Sequence, residues 1–190
     1  ADCMQAADYT TAFMGKWHLG ARWYRQGTDE IYKGDPWTKE ANQIDATRGI
    51  VDGGPATVGF DHSLTLVSGI QGAPYAFFKN DEWMKLGEDS VMKPLNWKEI
   101  PKGSSLGGSK SKLGDSNYDS REVGEILAKD AMNFIEREKD DPFFLCYWAP
   151  QVHHPHTPPN TFMGQPVKNT SHSDLGDMIV EFDIDRKSVV

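Results

Sequence analysis

Apolar and polar positions follow three distinct rhythms along this chain. Residues 9–14 (YTTAFM) form a short aromatic, β-branched and apolar run that Gly15 ends, the pattern of a strand buried on both faces. Residues 119–138 place Val123, Leu127, Ala131, Phe134 and Ile135 on one stripe. With Asp119 and Glu122 at capping-box spacing, they predict a helix over 119–138. Lys139-Asp140-Asp141-Pro142 closes it. Residues 142–148 (PFFLCYW) then run without a polar break, which predicts an interior strand of a parallel sheet. A last helix is expected over 173–183, with Ile179, Val180 and Phe182 buried.

A helix followed at once by a buried strand is the order of an α/β fold. Between the first strand and the long helix, residues 21–116 scatter Gly, Pro and Trp, and 102–116 (KGSSLGGSKSKLGDS) reads as loop or linker. A compact domain seldom carries so much irregular chain without a use for it. Residues 21–116 are therefore expected to be an irregular insertion over the functional face. Trp37, Trp83 and Trp97 within it are expected to pack, a carbohydrate platform being the alternative.

Composition narrows the class more than the function. The 190 residues are 38% hydrophobic and 11% aromatic, enough apolar surface for one folded core. A net charge of −8 argues against nucleic acid held on a basic face. No apolar run reaches the roughly 18 residues of a membrane span. Two cysteines, Cys3 and Cys146, are too few for a disulfide framework or a structural zinc site, and Cys146 is expected as a buried neutral thiol. Asn169-Thr170-Ser171 fits the glycosylation triplet. Residues 185–190 (DRKSVV) break abruptly from the pattern before them and are expected to be a non-native tail, leaving 1–184 as one domain.

Both expected strands lead into chemically loaded loops, GKWHLG after the first and APQVHHPHTPP after the second. Ligands of open α/β sheets collect at the carboxyl ends of strands. Lys16, His18, His153, His154 and His156 are thus expected to gather above one sheet edge. Lysine supplies a compact charge with three donors, and histidine moves a proton near neutral pH. That pairing suits an oxyanion ester, whose negative charge must be held while a proton moves. Other readings stay open at this point: a turn in which Trp17 packs and Lys16 faces water, an exposed His-rich loop, or a zinc site. Against zinc, Pro155 breaks any helical i,i+4 spacing among the histidines.

YTTAFMGKWHLG resembles the second signature of the sulfatases of the alkaline-phosphatase-like superfamily. GGPATVGFDH (53–62) is similar to the Gly-Phe-Asp segment that follows it in many members, and GAPYAFFKNDEW (72–83) to an arylsulfatase-like stretch. PFFLCYWAPQVHHPHTPP (142–159) resembles the strand and loop that end in a Pro-His or Thr-His element. LGDMIVEFD (175–183) resembles the Gly-Asp…Glu-x-Asp helix after it. Five matches in order cover nearly the whole chain.

The resemblance implies a partial alkaline-phosphatase-like sandwich, a largely parallel sheet flanked by helices, forming an incomplete catalytic domain over 1–184. It implies a fragment of a sulfuric-ester hydrolase that cleaves sulfate monoesters with a formylglycine nucleophile and a divalent cation, usually calcium. The implied partner is a sulfated small molecule or sulfated carbohydrate, and the implied setting is secreted, periplasmic or lysosomal. On matching positions, Lys16 would contact the sulfate and the formylglycine hydroxyl. His18 would bond that hydroxyl and help collapse the sulfated intermediate, and His156 would donate to the sulfate or the leaving oxygen. His153 and His154 match less well and stand outside this set.

The Cys/Ser-x-Pro-x-Arg motif that furnishes formylglycine does not occur in the 190 residues, and Cys3 is followed by Met-Gln-Ala. Nucleophile and metal ligands are expected outside this chain, so the 190 residues alone are expected to be inactive. Two alternatives stand beside this expectation: a phosphate or phosphonate ester hydrolase of the same superfamily, and a non-catalytic module that binds sulfated glycans.

Overall fold

The computed structural model describes residues 1–33, 43–95 and 112–189. In chain order the strands are β1 (Thr10–Lys16), β2 (His62–Leu66), β3 (Phe77–Lys79), β4 (Glu82–Met84), β5 (Met92–Leu95), β6 (Lys112–Asp115), β7 (Phe143–Trp148), β8 (Thr161–Phe162) and β9 (Gln165–Pro166). The helices are α1 (Asp2–Gln5), α2 (Val123–Glu138) and α3 (Asp174–Val189). Five strands make the central sheet in the order β4-β3-β2-β1-β7. β1 runs parallel to both β2 and β7, while β3 and β4 add an antiparallel hairpin at the far side.

The run at 9–14 is a strand because apolar residues face both ways. Ala12 and Met14 join Leu64, Leu66, Leu127, Ala131 and Phe134 in the core shared with α2. Phe13 points to the other side, packing edge-on against Trp17 and Phe60, with the Trp148 ring tilted beside it. Thr11 to Gly15 are all buried. The Gly-Phe-Asp segment fastens this strand at its start: Asp61 Oδ2 accepts from the Thr11 backbone N–H at 2.9 Å and from Thr11 Oγ1 at 2.8 Å. Those bonds hold the Asp61 carboxyl below its usual pKa against the opposing effect of burial.

Several expectations meet a different structure. The helix begins at Val123, not Asp119, because the Asp119 carboxylate turns to the Arg121 backbone N–H and guanidinium, so no side-chain cap forms at Glu122. The apolar run at 142–148, expected inside the sheet, lies at its edge among the described residues. Among the described residues β7 pairs with β1 alone, and its side chains are half-buried up to an exposed Trp148. Much of residues 21–116, read as irregular, builds the sheet: β2 is a central strand, and the β3–β4 hairpin turns through Asn80 and Asp81, both with positive φ. The 102–116 tract lies mostly outside the described residues, but its end is strand β6. Trp37 and Trp97 also lie outside them. Trp83 packs on a second core cluster and donates from Nε1 to Asp115 Oδ2 at 3.2 Å.

The last helix is longer than expected and faces the other way. Ile179 and Phe182 are exposed at 53% and 40% and Val180 is half-buried, whereas Asp177, Glu181 and Asp185 are buried with Met178 and Ile184. Hydrogen bonding decides the rotation. Asp177 accepts from the backbone N–H groups of Asn169 and Ser171 at 2.8 Å each, and Asp185 accepts from Tyr147 Oη and Gln151 Nε2 at 2.8 and 2.7 Å. These bonds compensate carboxylates that would otherwise be too costly to bury. Cys146 is half-buried, and burial raises its pKa, keeping the thiol neutral. No helix among the described residues is long and apolar enough to cross a membrane.

Candidate functional site

The carboxyl ends of β1 and β7 come together because the penultimate residue of β1 is a glycine. Gly15 lies opposite Trp148 with φ +117°, and a Cβ there would sit 1.9 Å from the Trp148 carbonyl oxygen. Only glycine allows the last residues of β1 and β7 to approach so closely. Beyond Gly15 the chain stays beside β2: the Trp17 N–H donates to Leu66 O at 3.2 Å and the His18 N–H to Val67 O at 2.9 Å. Trp17 is buried and donates from Nε1 to Gly53 O at 2.7 Å. It anchors the GKWHLG loop from below and turns its neighbours toward the strand ends. His18 itself takes a left-handed backbone, φ 51°.

Lys16 lies over Gly69, where a Cβ would stand 2.9 Å from its Cδ. Its Nζ donates to the Gln71 side-chain oxygen, while the Gln71 nitrogen donates to Ser68 O at 3.1 Å. A cavity of about 340 Å³ opens here, lined by Lys16, Gln71 and residues 148–153. No Asp or Glu is among the described residues lining it, although the chain carries a net charge of −8. The Lys16 charge therefore meets no carboxylate among the described residues lining this recess.

Burial lowers the Lys16 pKa. Burial also lowers that of His18, helped by the positive charges of Lys16 and His153. His18 therefore stands within electrostatic reach of both groups and favours its neutral form, the state that accepts a proton. The structure thus brings Lys16, His18 and His153 to one place. His156 lies three residues further along the same loop, half-buried, and is not among the described residues lining the cavity. His154 is exposed, with Nδ1 3.2 Å from His153 Nδ1.

Gln71, Trp148 and Gln151 were not legible as site residues. Gln71 occupies a short turn after a strand that the sequence pattern did not disclose, Trp148 belongs to the apolar run of the second strand, and Gln151 carries no local signal of its own. A larger cavity of about 540 Å³ lies against the first turns of α2, but its charges pair among themselves, Arg121 with Asp119 and Lys129 with Glu125. It holds none of the lysine and histidine chemistry described above.

Among the described residues no group of three or more His, Cys, Asp or Glu side chains is placed to hold a metal ion. The calcium implied by the resemblance has no donor set there.

The chain is similar to an N-acetylgalactosamine-6-O-sulfatase of Bacteroides thetaiotaomicron, with 24% identity over 212 residues covering 96% of this chain and 36% of the relative. It is also similar to a solved structure described under the metabolism of multiple glycosaminoglycans by Bacteroides thetaiotaomicron, with a TM-score of 0.68 and 20% identity. That alignment covers 99% of this chain and 40% of the neighbour, and the shared fold is alkaline-phosphatase-like, a mostly parallel sheet with helices. The chain spans well under half the length of either protein. The family model described as Sulfatase matches residues 1–175, from before β1 into the first turn of α3. With both strand-end loops inside that match, the chain belongs to the sulfatase family.

Proposed function

We propose that these residues form the oxyanion-handling part of a sulfuric-ester hydrolase that removes sulfate from a sulfated glycan. The observation that carries the proposal is the acid-free recess at the end of β1, where Lys16 is held over Gly69 with His18 two residues away. Lys16 holds the negative charge of the sulfate through its three donors. That contact gains weight as charge builds on the ester oxygens in the transition state. His18, favouring its neutral form, takes a proton from a hydroxyl and returns it, while His156 donates to the leaving oxygen. The formylglycine and cation belong to the same proposal as groups supplied from outside these 190 residues, and no step here passes through them.

The relatives support the substrate class: one is named for a 6-sulfated N-acetylgalactosamine and the other for glycosaminoglycan metabolism. The test is desulfation of a 6-sulfated N-acetylgalactosamine by the longer polypeptide that carries these residues together with a Cys/Ser-x-Pro-x-Arg motif. Lys16→Ala and His18→Ala should each lower kcat/KM at least about 100-fold, the scale of losing an oxyanion donor or a general acid–base group. Faster turnover of a phosphate ester than of the sulfate would replace this reading with the phosphatase alternative. Tight binding of the sulfated glycan without turnover would replace it with the binding-module alternative.

A further inference from the structure

We propose that Gln71 is a positioning residue of this site: its neutral side-chain carbonyl fixes the Lys16 ammonium at the recess without cancelling the charge that holds the sulfate. This rests on the reading of the recess as a sulfate site.

A lysine carries its charge on a flexible four-carbon stem, so the ammonium serves an anion well only where something holds it. A carboxylate would hold it and also neutralise it, and none lines this recess among the described residues. Gln71 holds it with an amide. The Gln71 oxygen accepts from Lys16 Nζ, which occupies one of the three ammonium hydrogens and leaves two for a ligand.

The turn that carries Gln71 sets the direction of the amide. The Gln71 nitrogen donates to Ser68 O at 3.1 Å, a carbonyl that can only accept, so the oxygen end faces Lys16. Ser68 Oγ in turn donates to Ala73 O at 2.8 Å, and the buried Tyr75 donates from Oη to Gln71 O at 3.4 Å, which ties the turn down from both sides. Between these bonds Gly69 takes φ +65°, and a Cβ there would stand 2.7 Å from the Gln71 amide and 2.9 Å from Lys16 Cδ. The missing side chain at Gly69 is what lets the two lie side by side. Burial lowers the Lys16 pKa and no lining carboxylate offsets it, as expected of an ammonium held by a neutral group.

The test uses the 190-residue chain, ¹³C-labelled at lysine Cε and titrated with sodium sulfate at constant ionic strength. The Lys16 resonance is the one lost in Lys16→Arg. In the parent chain sulfate should move the Lys16 signal and leave that of Lys129, paired with Glu125, unchanged. Gln71→Met keeps the length of the side chain and removes the acceptor. It should weaken sulfate binding about tenfold, the scale of one charge-assisted hydrogen bond. Gln71→Glu keeps the shape and adds a charge. It should raise the pKa of Lys16, read from the Cε shift against pH, and weaken sulfate binding at least as much. A residue that only packed the turn would move neither quantity in the near-isosteric glutamate variant. If sulfate moves Lys16 while both variants bind it as tightly as the parent and Gln71→Glu leaves the Lys16 pKa unchanged, this inference fails and the sulfate reading stands. If sulfate leaves Lys16 unmoved in the parent chain, the sulfate reading fails and takes the inference with it.

Discussion

Replacing Gly15 by alanine should strike the fold and the site at the same atom. The backbone there has φ +117°, a region L-residues rarely adopt, and imposing it on alanine costs about 1–3 kcal/mol. The added Cβ would also lie 1.9 Å from the Trp148 carbonyl oxygen, with the Trp148 carbonyl carbon at 2.6 Å, so β1 and β7 must part by more than an ångström. Overpacking of that kind adds about 1–3 kcal/mol. The sum, about 2–6 kcal/mol, lowers Tm by roughly 10 °C in a domain of this size. Gly20→Ala isolates the first contribution: its φ is +104°, but nothing lies within 4 Å of where its Cβ would stand. It should cost only about 1–2 kcal/mol. Urea unfolding followed by tryptophan fluorescence measures both. Because Lys16 and residues 148–153 line one cavity at the ends of the strands that are forced apart, Gly15→Ala should also weaken sulfate binding where Gly20→Ala does not. Equal destabilisation by the two substitutions, or a loss below about 1 kcal/mol at Gly15, would refute the claim that close approach of β1 and β7 builds the site.

Further outcomes follow from the buried polar groups. Burial, reinforced by the charge of Asp185 and opposed by the Gln151 hydrogen bond, raises the folded-state pKa of Glu181 from 4.5 to about 8. A carboxyl that binds its proton more tightly when folded leaves the fold unpenalised below about pH 4.5 and costs it progressively as pH rises toward 8. Glu181→Gln should therefore flatten the fall in stability between pH 5 and pH 8, with a gain on the order of 3 kcal/mol at the alkaline end, read from urea midpoints across that range. Asp61→Ala removes the acceptor of both Thr11 bonds and should cost about 3 kcal/mol in the same unfolding assay. Trp17→Phe keeps the ring packing but loses the Nε1 bond to Gly53 O; it should cost about 1 kcal/mol and loosen sulfate binding by calorimetry.

The sequence disclosed those elements whose side chains carry their own period. β1 was legible because apolar residues face both sides of it, and α2 because Val123, Leu127, Ala131 and Phe134 recur at helical spacing into one core. β2 was not, since HSLTL mixes polar and apolar residues; Ser63 and Thr65 are buried by neighbours from distant parts of the chain. The face of α3 was misread for a related reason. Ile179, Val180 and Phe182 are the apolar residues that a local rule would bury, yet partners donated by Tyr147, Gln151 and the 169–171 turn draw the carboxylate face inward.

The site divides in the same way. The residue types at Lys16 and His18, and the strand that ends beside them, are set by the local sequence, as is their suitability for an oxyanion. How the HHPHTPP loop sits at the strand ends was decided by contacts between elements rather than within the loop. It depended on how closely β7 approaches Gly15 and on where Gln151 is tied down. Periodicity reports the environment of a side chain along its own element; the meeting of two loops at a strand end depends on packing between elements, which no single stretch of chain contains.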